Sequence, residues 1–221
     1  MIKFYLAEVD QYKAPGPHPC GLAYDHLYND LYYSDGDRNA IFLHQEGNQW
    51  RKVIDLPEIR TDLAFDGRSL WQIVGPEVGE GRVERRALQE IRINRSTDDH
   101  SYRLGKKVDL PRGFKAFGLD FKGELAYVFG DLGTVVVDVR TELSQLPFLP
   151  SVDKPGGLTL FDSEMWVADV SSGEIARINA DREIIDRVKA CEAPTGMTYS
   201  SGYLWVNSYS GKKIIKYEVR Y

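Results

Sequence analysis

His18, Lys154 and Asp169 are the side chains of this sequence with the types that move protons on a polar substrate. An imidazole, an amine and a carboxylate act as general base and general acid once a fold brings them within hydrogen-bond reach. The pairing to expect is Asp169 with Lys154 or with His18. Arg60, Lys115 and Lys154 supply cations that together can hold a carboxylate or phosphate. Thr61, Asp35, Asp131 and Asn207 complete the set of ligand-binding candidates. The three aspartates also stand close to Gly or Ser, where an Asp carboxylate commonly bonds the backbone of a tight turn. Carboxylates around one opening could hold Ca²⁺ through oxygen ligands, but Asp35-Gly36-Asp37-Arg38-Asn39 has the opening alternation of a calcium loop without its later ligands. No metal site is assigned, and no cofactor is expected beyond that cation. Cys20 lies two residues from His18, which raises a Cys–His nucleophile pair against the simpler reading of Cys20 and Cys191 as buried free thiols. His26 and His44 receive no role.

These residues are scattered over a chain of 221 residues, so a fold must gather them. With 43% hydrophobic and 28% charged residues the composition is that of an ordinary globular protein, and 13 Tyr lean toward strands. The net charge is −5 and the basic residues are dispersed, which argues against a nucleic-acid partner. No apolar stretch is long enough for a membrane helix, and Met-Ile-Lys-Phe-Tyr-Leu-Ala-Glu-Val lacks the pattern of a signal peptide. The expectation is a cytoplasmic protein that meets a small polar molecule. Its oligomeric state is not legible.

A repeat supplies the gathering element. Gly21-Leu22-Ala23-Tyr24-Asp25, Asp62-Leu63-Ala64-Phe65-Asp66, Gly118-Leu119-Asp120-Phe121-Lys122, Gly157-Leu158-Thr159-Leu160-Phe161 and Gly196-Met197-Thr198-Tyr199-Ser200 share one alternation. Each is followed by a second leader, beginning at Leu31, Leu70, Leu125, Met165 and Leu204, at intervals of 39, 55, 40 and 39 residues. Period 2 excludes a helical solenoid, and four short strands per repeat make a propeller blade. The spacing predicts an all-β, five-bladed β-propeller with blades over about 20–60, 61–113, 114–154, 155–193 and 194–221. The fifth is completed by residues 2–9, a strand that closes the ring and covers an open edge. The long interval places an insertion at residues 77–103, either an extended hairpin or a short helix. It would serve as a lid over the tunnel, a partner surface or a tolerated insertion. Trp71, Trp166 and Trp205 recur at one position and are expected to pack between blades.

Pro19-Cys20-Gly21-Leu22-Ala23-Tyr24-Asp25 followed by Leu31-Tyr32, with Ser34-Asp35-Gly36-Asp37-Arg38-Asn39-Ala40-Ile41 as the next turn, resembles the blades of NHL, SMP-30 (gluconolactonase-type) and virginiamycin B lyase-type propellers. A count of five with an N-terminal closing strand is most similar to the plant-type glutamine cyclotransferases. The resemblance implies the fold. Where the cyclotransferases carry a Glu before Gly-Leu, this chain has Thr61 before Asp62-Leu63; only Asp169 and Asn207 answer to a gluconolactonase metal set; and His18, His26, His44 and His100 all precede the late blades used by the lyases. One superfold hosts many activities, so function must be argued from the site. That site is expected at the tunnel mouth, where the inter-blade connections and the turns between second and third strands meet. A lyase, cyclase or hydrolase acting on a small molecule is the first reading, and a non-catalytic binding or interaction scaffold the alternative. A lectin with one equivalent pocket per blade fits worst, because these loops differ from blade to blade.

Overall fold

The computed structural model describes residues 4–76, 83, 85–96, 100–148 and 152–220. Alternating apolar residues bounded by polar turns make twenty short strands, grouped as five antiparallel four-stranded sheets. Blade 1 comprises β2 (Pro19–Asp25), β3 (Asp30–Asp35), β4 (Ala40–Gln45) and β5 (Gln49–Asp55). Blade 2 follows with β6 (Ile59–Phe65), β7 (Ser69–Val74), β8 (Ala87–Asn94) and β9 (Ser101–Asp109). Blade 3 holds β10 (Ala116–Lys122), β11 (Leu125–Gly130), β12 (Gly133–Asp138) and β13 (Ser144–Phe148). In blade 4 the strands are β14 (Pro155–Phe161), β15 (Glu164–Asp169), β16 (Glu174–Ile178) and β17 (Ile184–Lys189). Blade 5 takes β18 (Pro194–Ser200), β19 (Tyr203–Ser208) and β20 (Lys213–Arg220) from the C-terminal end and β1 (Tyr5–Lys13) from the N-terminal end.

The closing strand pairs antiparallel with β20 from Tyr5↔Arg220 to Lys13↔Lys213, with a register shift between Glu8 and Asp10. It runs four residues beyond the 2–9 expected from sequence, and residues 1–3 lie outside the described ones. The extension carries Asp10, Gln11 and Lys13 on an outer face open to solvent, so its alternation is diluted by polar residues.

Two devices hold the ring. Between blades, a Trp from the second strand meets an aromatic residue of the next inner strand. Trp71 faces Phe121 at 5.6 Å between ring centres, Trp166 faces Tyr199 at 6.1 Å, and Trp205 stacks on Tyr24 at 6.1 Å. Around the axis, neighbouring inner strands touch through glycine: a Cβ added to Gly21 would fall 2.1 Å from the Leu63 amide nitrogen. Gly118, Gly157 and Gly196 occupy the same position in their blades. The fifth residue of that ring is Asp62, almost fully buried, whose carboxylate accepts the amides of Leu63 (3.0 Å), Leu119 (3.1 Å) and Leu158 (3.1 Å). Those partners lie in blades 2, 3 and 4, so the side chain bridges the axis and plugs the tunnel beneath its mouth.

The stretch 77–103 is not one insertion. Ala87–Asn94 is the third strand of blade 2, and Ser101 opens its fourth. The extra length is divided between the β7–β8 loop, of which residues 77–82 and 84 lie outside the described ones, and the tip of the β8–β9 hairpin. That tip clasps the end of blade 1 opposite the mouth. Arg95 pairs with the buried Asp25 and lies 4.6 Å above the Tyr28 ring, His100 stands 3.8 Å from Asp30, and the Tyr102 and Tyr32 hydroxyls meet at 3.3 Å. Hence the described part of the hairpin is strand and a clasp between blades, not a helix, while the lid expectation falls on the mouth-side loop, whose residues 77–82 and 84 lie outside the described ones.

Candidate active site at the tunnel mouth

Every blade fixes its mouth by the same backbone bond. The residue just beyond the second strand donates its N–H to the carbonyl just before the inner strand: Gly36 to His18 (3.1 Å), Gly75 to Glu58 (3.0 Å), Asp131 to Lys115 (3.1 Å), Val170 to Lys154 (2.8 Å) and Tyr209 to Ala193 (3.0 Å). The side chains on these ten positions therefore stand at defined heights around the opening. One layer below, Cys20, Thr61, Phe117, Gly156 and Thr195 precede the Gly/Asp ring. Here the Cys20 thiol donates to Arg60 O (3.5 Å), Thr61 Oγ1 to Ala116 O (3.1 Å) and Thr195 Oγ1 to Pro19 O (3.1 Å), each on the next blade.

Together these layers enclose a cavity of about 300 Å³. Its polar walls are His18, Arg60, Thr61, Lys154, Thr195 and Tyr209, and its apolar walls include Pro19, Phe117, Pro155 and Val170. His18 Nδ1 lies 3.1 Å from Asp37 Oδ1, and its ring meets Tyr209 edge to face at 5.2 Å. A carboxylate on one ring nitrogen fixes the orientation of an imidazole, as a proton-transferring histidine requires. Arg60 donates Nε to Gly75 O at 2.7 Å, which fixes the guanidinium plane.

The sequence candidates thus divide. His18, Arg60, Thr61 and Lys154 come together on the cavity wall. Lys115 and Asp131 are exposed on the rim, where Asp131 accepts the Lys115 amide at 3.0 Å. Asp35 is fully buried and accepts from the His18 amide (2.9 Å), the Tyr33 hydroxyl (3.0 Å) and the Arg38 amide (2.8 Å). Asp169 holds its own turn through the Ser171 amide (3.0 Å) and hydroxyl (2.6 Å), with Arg187 at 3.9 Å. Burial alone would raise the Asp169 carboxyl, but the Ser171 and Ser172 bonds outweigh it and hold it below the ordinary carboxylate range. It is joined to Lys154 only through the backbone of Val170, so the expected Asp169–Lys154 acid–base pair does not form; the turn requirement has taken the carboxylate. Asn207 is buried behind the wall, with neither amide atom bonded to a described residue.

Burial, with a smaller contribution from Asp35, pushes the Cys20 thiol up to about 12, which leaves no thiolate for nucleophilic attack at neutral pH. Cys191 is raised to about 11, also chiefly by burial. Both cysteines are free. Burial likewise drives the Asp62 carboxyl well above its ordinary value despite its three amide bonds. Among the described residues, no three His, Cys, Asp or Glu side chains gather as metal ligands. The carboxylates proposed for Ca²⁺ sit in separate turns, and no described helix is long and apolar enough to cross a membrane.

Phe117, Val170, Tyr209, Asp37 and the plug Asp62 were not among the sequence candidates. The signals for two of them are in the repeat itself. Phe117 holds the position of Cys20 and Thr61, and Asp62 is the lone non-glycine of its ring.

No known family model matches the sequence, and no curated protein does either. Solved structures do match in shape. The glutaminyl cyclase of Myxococcus xanthus superposes with a TM-score of 0.73 at 11% identity, covering 98% of this chain and 97% of that one. The PQQ-bound aldose sugar dehydrogenase of Streptomyces coelicolor gives 0.63 at 11% identity with 99% of both chains covered. A streptogramin B lyase gives 0.54 at 14% identity with 98% of both covered. At such identities the likeness is one of fold, and the fold-level resemblance read from the blades to cyclase-type and lyase-type propellers is shown.

Proposed function

We propose that this propeller is an enzyme acting by proton transfer on a small molecule bound at the tunnel mouth, with His18 as the proton-transferring group. The observation that carries the reading is the convergence of His18, already oriented by Asp37, with Tyr209, Arg60 and Lys154 around one cavity. Arg60 and Lys154 hold and orient the substrate, and Pro19, Phe117, Pro155 and Val170 exclude water from part of its surface. Proton abstraction followed by elimination or ring closure, the chemistry of lyases and cyclases, needs no group beyond these. Structures of similar shape include a cyclase, a dehydrogenase and a lyase, and also a nidogen/laminin complex, so the fold admits such chemistry and the choice of an enzyme rests on the site.

The test is conversion of a pooled metabolite library, followed by mass spectrometry, with wild type, H18Q and V170W. Wild type is expected to consume at least one compound. H18Q should bind that compound without converting it, because the His18 backbone bonds to Asp35 and Gly36 remain. V170W, which fills the cavity, should not bind it. Conversion that survives H18Q contradicts the role of His18, and conversion that survives V170W contradicts the location.

A further inference from the structure

The charge of the cavity wall goes further than its position. Three of its side chains, Arg60, Lys154 and His18, carry or accept positive charge, and among the described residues none on the wall carries a carboxylate. Of the described carboxylates near the mouth, Glu58 and Asp131 are exposed on the rim, off the cavity wall, and others are already held. Asp37 faces His18, Asp35 accepts three donors, Asp169 is bonded to Ser171 and Ser172, and Asp62 lies below the floor among three backbone amides. Arg60 uses Nε on Gly75 O, so the N–H groups that remain for a ligand are those on its terminal nitrogens, the geometry that grips an oxyanion with two parallel bonds. Thr61 and Thr195 turn their hydroxyl protons to backbone carbonyls. Apart from the Tyr209 hydroxyl, the donors offered to a ligand by the described wall are therefore cationic.

Interspersed with them are apolar side chains, Phe117, Val170, Pro19 and Pro155, with Gly156 also on the lining. A volume of about 300 Å³ lies at the lower end of ligand pockets, which sets the size of what fits.

We infer that the ligand of the tunnel mouth is a small organic oxyanion, a carboxylate or phosphate carried on a compact apolar body. A cationic ligand would meet like charge with no compensating carboxylate among the described wall residues, and a neutral one would leave the Arg60 and Lys154 donors without an anionic partner. An inorganic anion would leave the apolar wall wet. The inference rests on the mouth being the functional site, but it makes a separate demand on the chemistry of the ligand.

The experiment is calorimetric titration of the full chain with four probes sharing one body type: 3-phenylpropionate, phenyl phosphate, 3-phenylpropionamide and 3-phenylpropylamine. At least one anion is expected to bind about ten-fold or more tightly than the amide, a difference of about 1.4 kcal/mol. R60M/K154M should erase that preference, and V170W should weaken whichever anion binds. If R60M/K154M does not fold, the same information comes from salt: in wild type, anion affinity should fall as NaCl rises while amide affinity does not. Amide or amine binding as tight as both anions, sensitive to V170W, would overturn the anionic inference while leaving the mouth as the site. Anion binding insensitive to V170W would overturn both, and binding of neither anion overturns the inference.

Discussion

At the scale of single residues, the axis of the ring carries two carboxylates in succession, Asp62 and, two residues further along the next inner strand, Asp120. Asp120 accepts the Phe121 amide (2.7 Å), the Leu160 amide (2.6 Å) and the Thr159 hydroxyl (2.9 Å), and Thr159 in turn accepts the Tyr199 amide at 3.1 Å. One side chain thereby links blades 3, 4 and 5. Burial raises its carboxyl to about 6, the amide and hydroxyl bonds offsetting part of that rise. A carboxyl whose folded pKa lies above its unfolded value stabilises the fold fully below the unfolded pKa, and that contribution is lost as pH rises through the folded one. Between about pH 4 and pH 6.5, wild type should therefore lose stability relative to D120N, by on the order of 1–3 kcal/mol in total. Urea unfolding of both proteins across that range measures it. A gap between them that stays constant or widens with pH contradicts the raised value.

At the scale of elements, the β8–β9 hairpin is predicted to act as a strut. Asp25 is fully buried, and Arg95 neutralises it from the neighbouring blade. Removing one partner of a buried pair leaves an uncompensated charge, so R95M should cost about 3–5 kcal/mol and R95M/D25N distinctly less. Thermal unfolding of the two variants shows whether the order holds. This hairpin also marks where the sequence becomes hard to read. Five inner strands and the leaders that follow them, from Leu31-Tyr32 to Leu204-Trp205, are legible because these strands are largely buried and nearly the same spacing returns. The third strand of blade 2 hides because Gln89 is buried mid-strand, bonding Gly105 O and Lys106 O, while Glu90 and Arg92 pair along the outer side. A buried amide and a salt-bridged surface do not alternate as apolar and polar. The mouth is legible in the same partial way. His18, Arg60, Thr61 and Lys154 follow from knowing which loops meet, whereas Asp35 and Asp169 have turn roles that their residue type shares with ligand roles.

At the scale of the whole molecule, the ring explains why the site lies where it does. Strands contributed by both ends of the chain pair in one blade, four glycine contacts draw the inner strands together, and Asp62, at the fifth position, seals the axis below the mouth. At the mouth a shallow cup bounded by His18, Arg60, Lys154 and Tyr209 stays open. The opposite face carries the Arg95 clasp between blades 1 and 2, the Glu164–Arg177 pair at 2.7 Å within blade 4, and a separate cavity of about 380 Å³ beside Asp162 and Glu164. The most direct measurement of this account is a two-dimensional amide NMR titration of wild type and V170W with a pooled library of small carboxylates, phosphates and neutral metabolites. The account predicts that the amides of His18, Arg60, Thr61, Lys154, Val170 and Tyr209 shift in wild type, that those of Asp25, Asp66 and Glu164 stay in place, and that V170W abolishes the response. Shifts centred on the opposite face, or a response that V170W leaves intact, would contradict it.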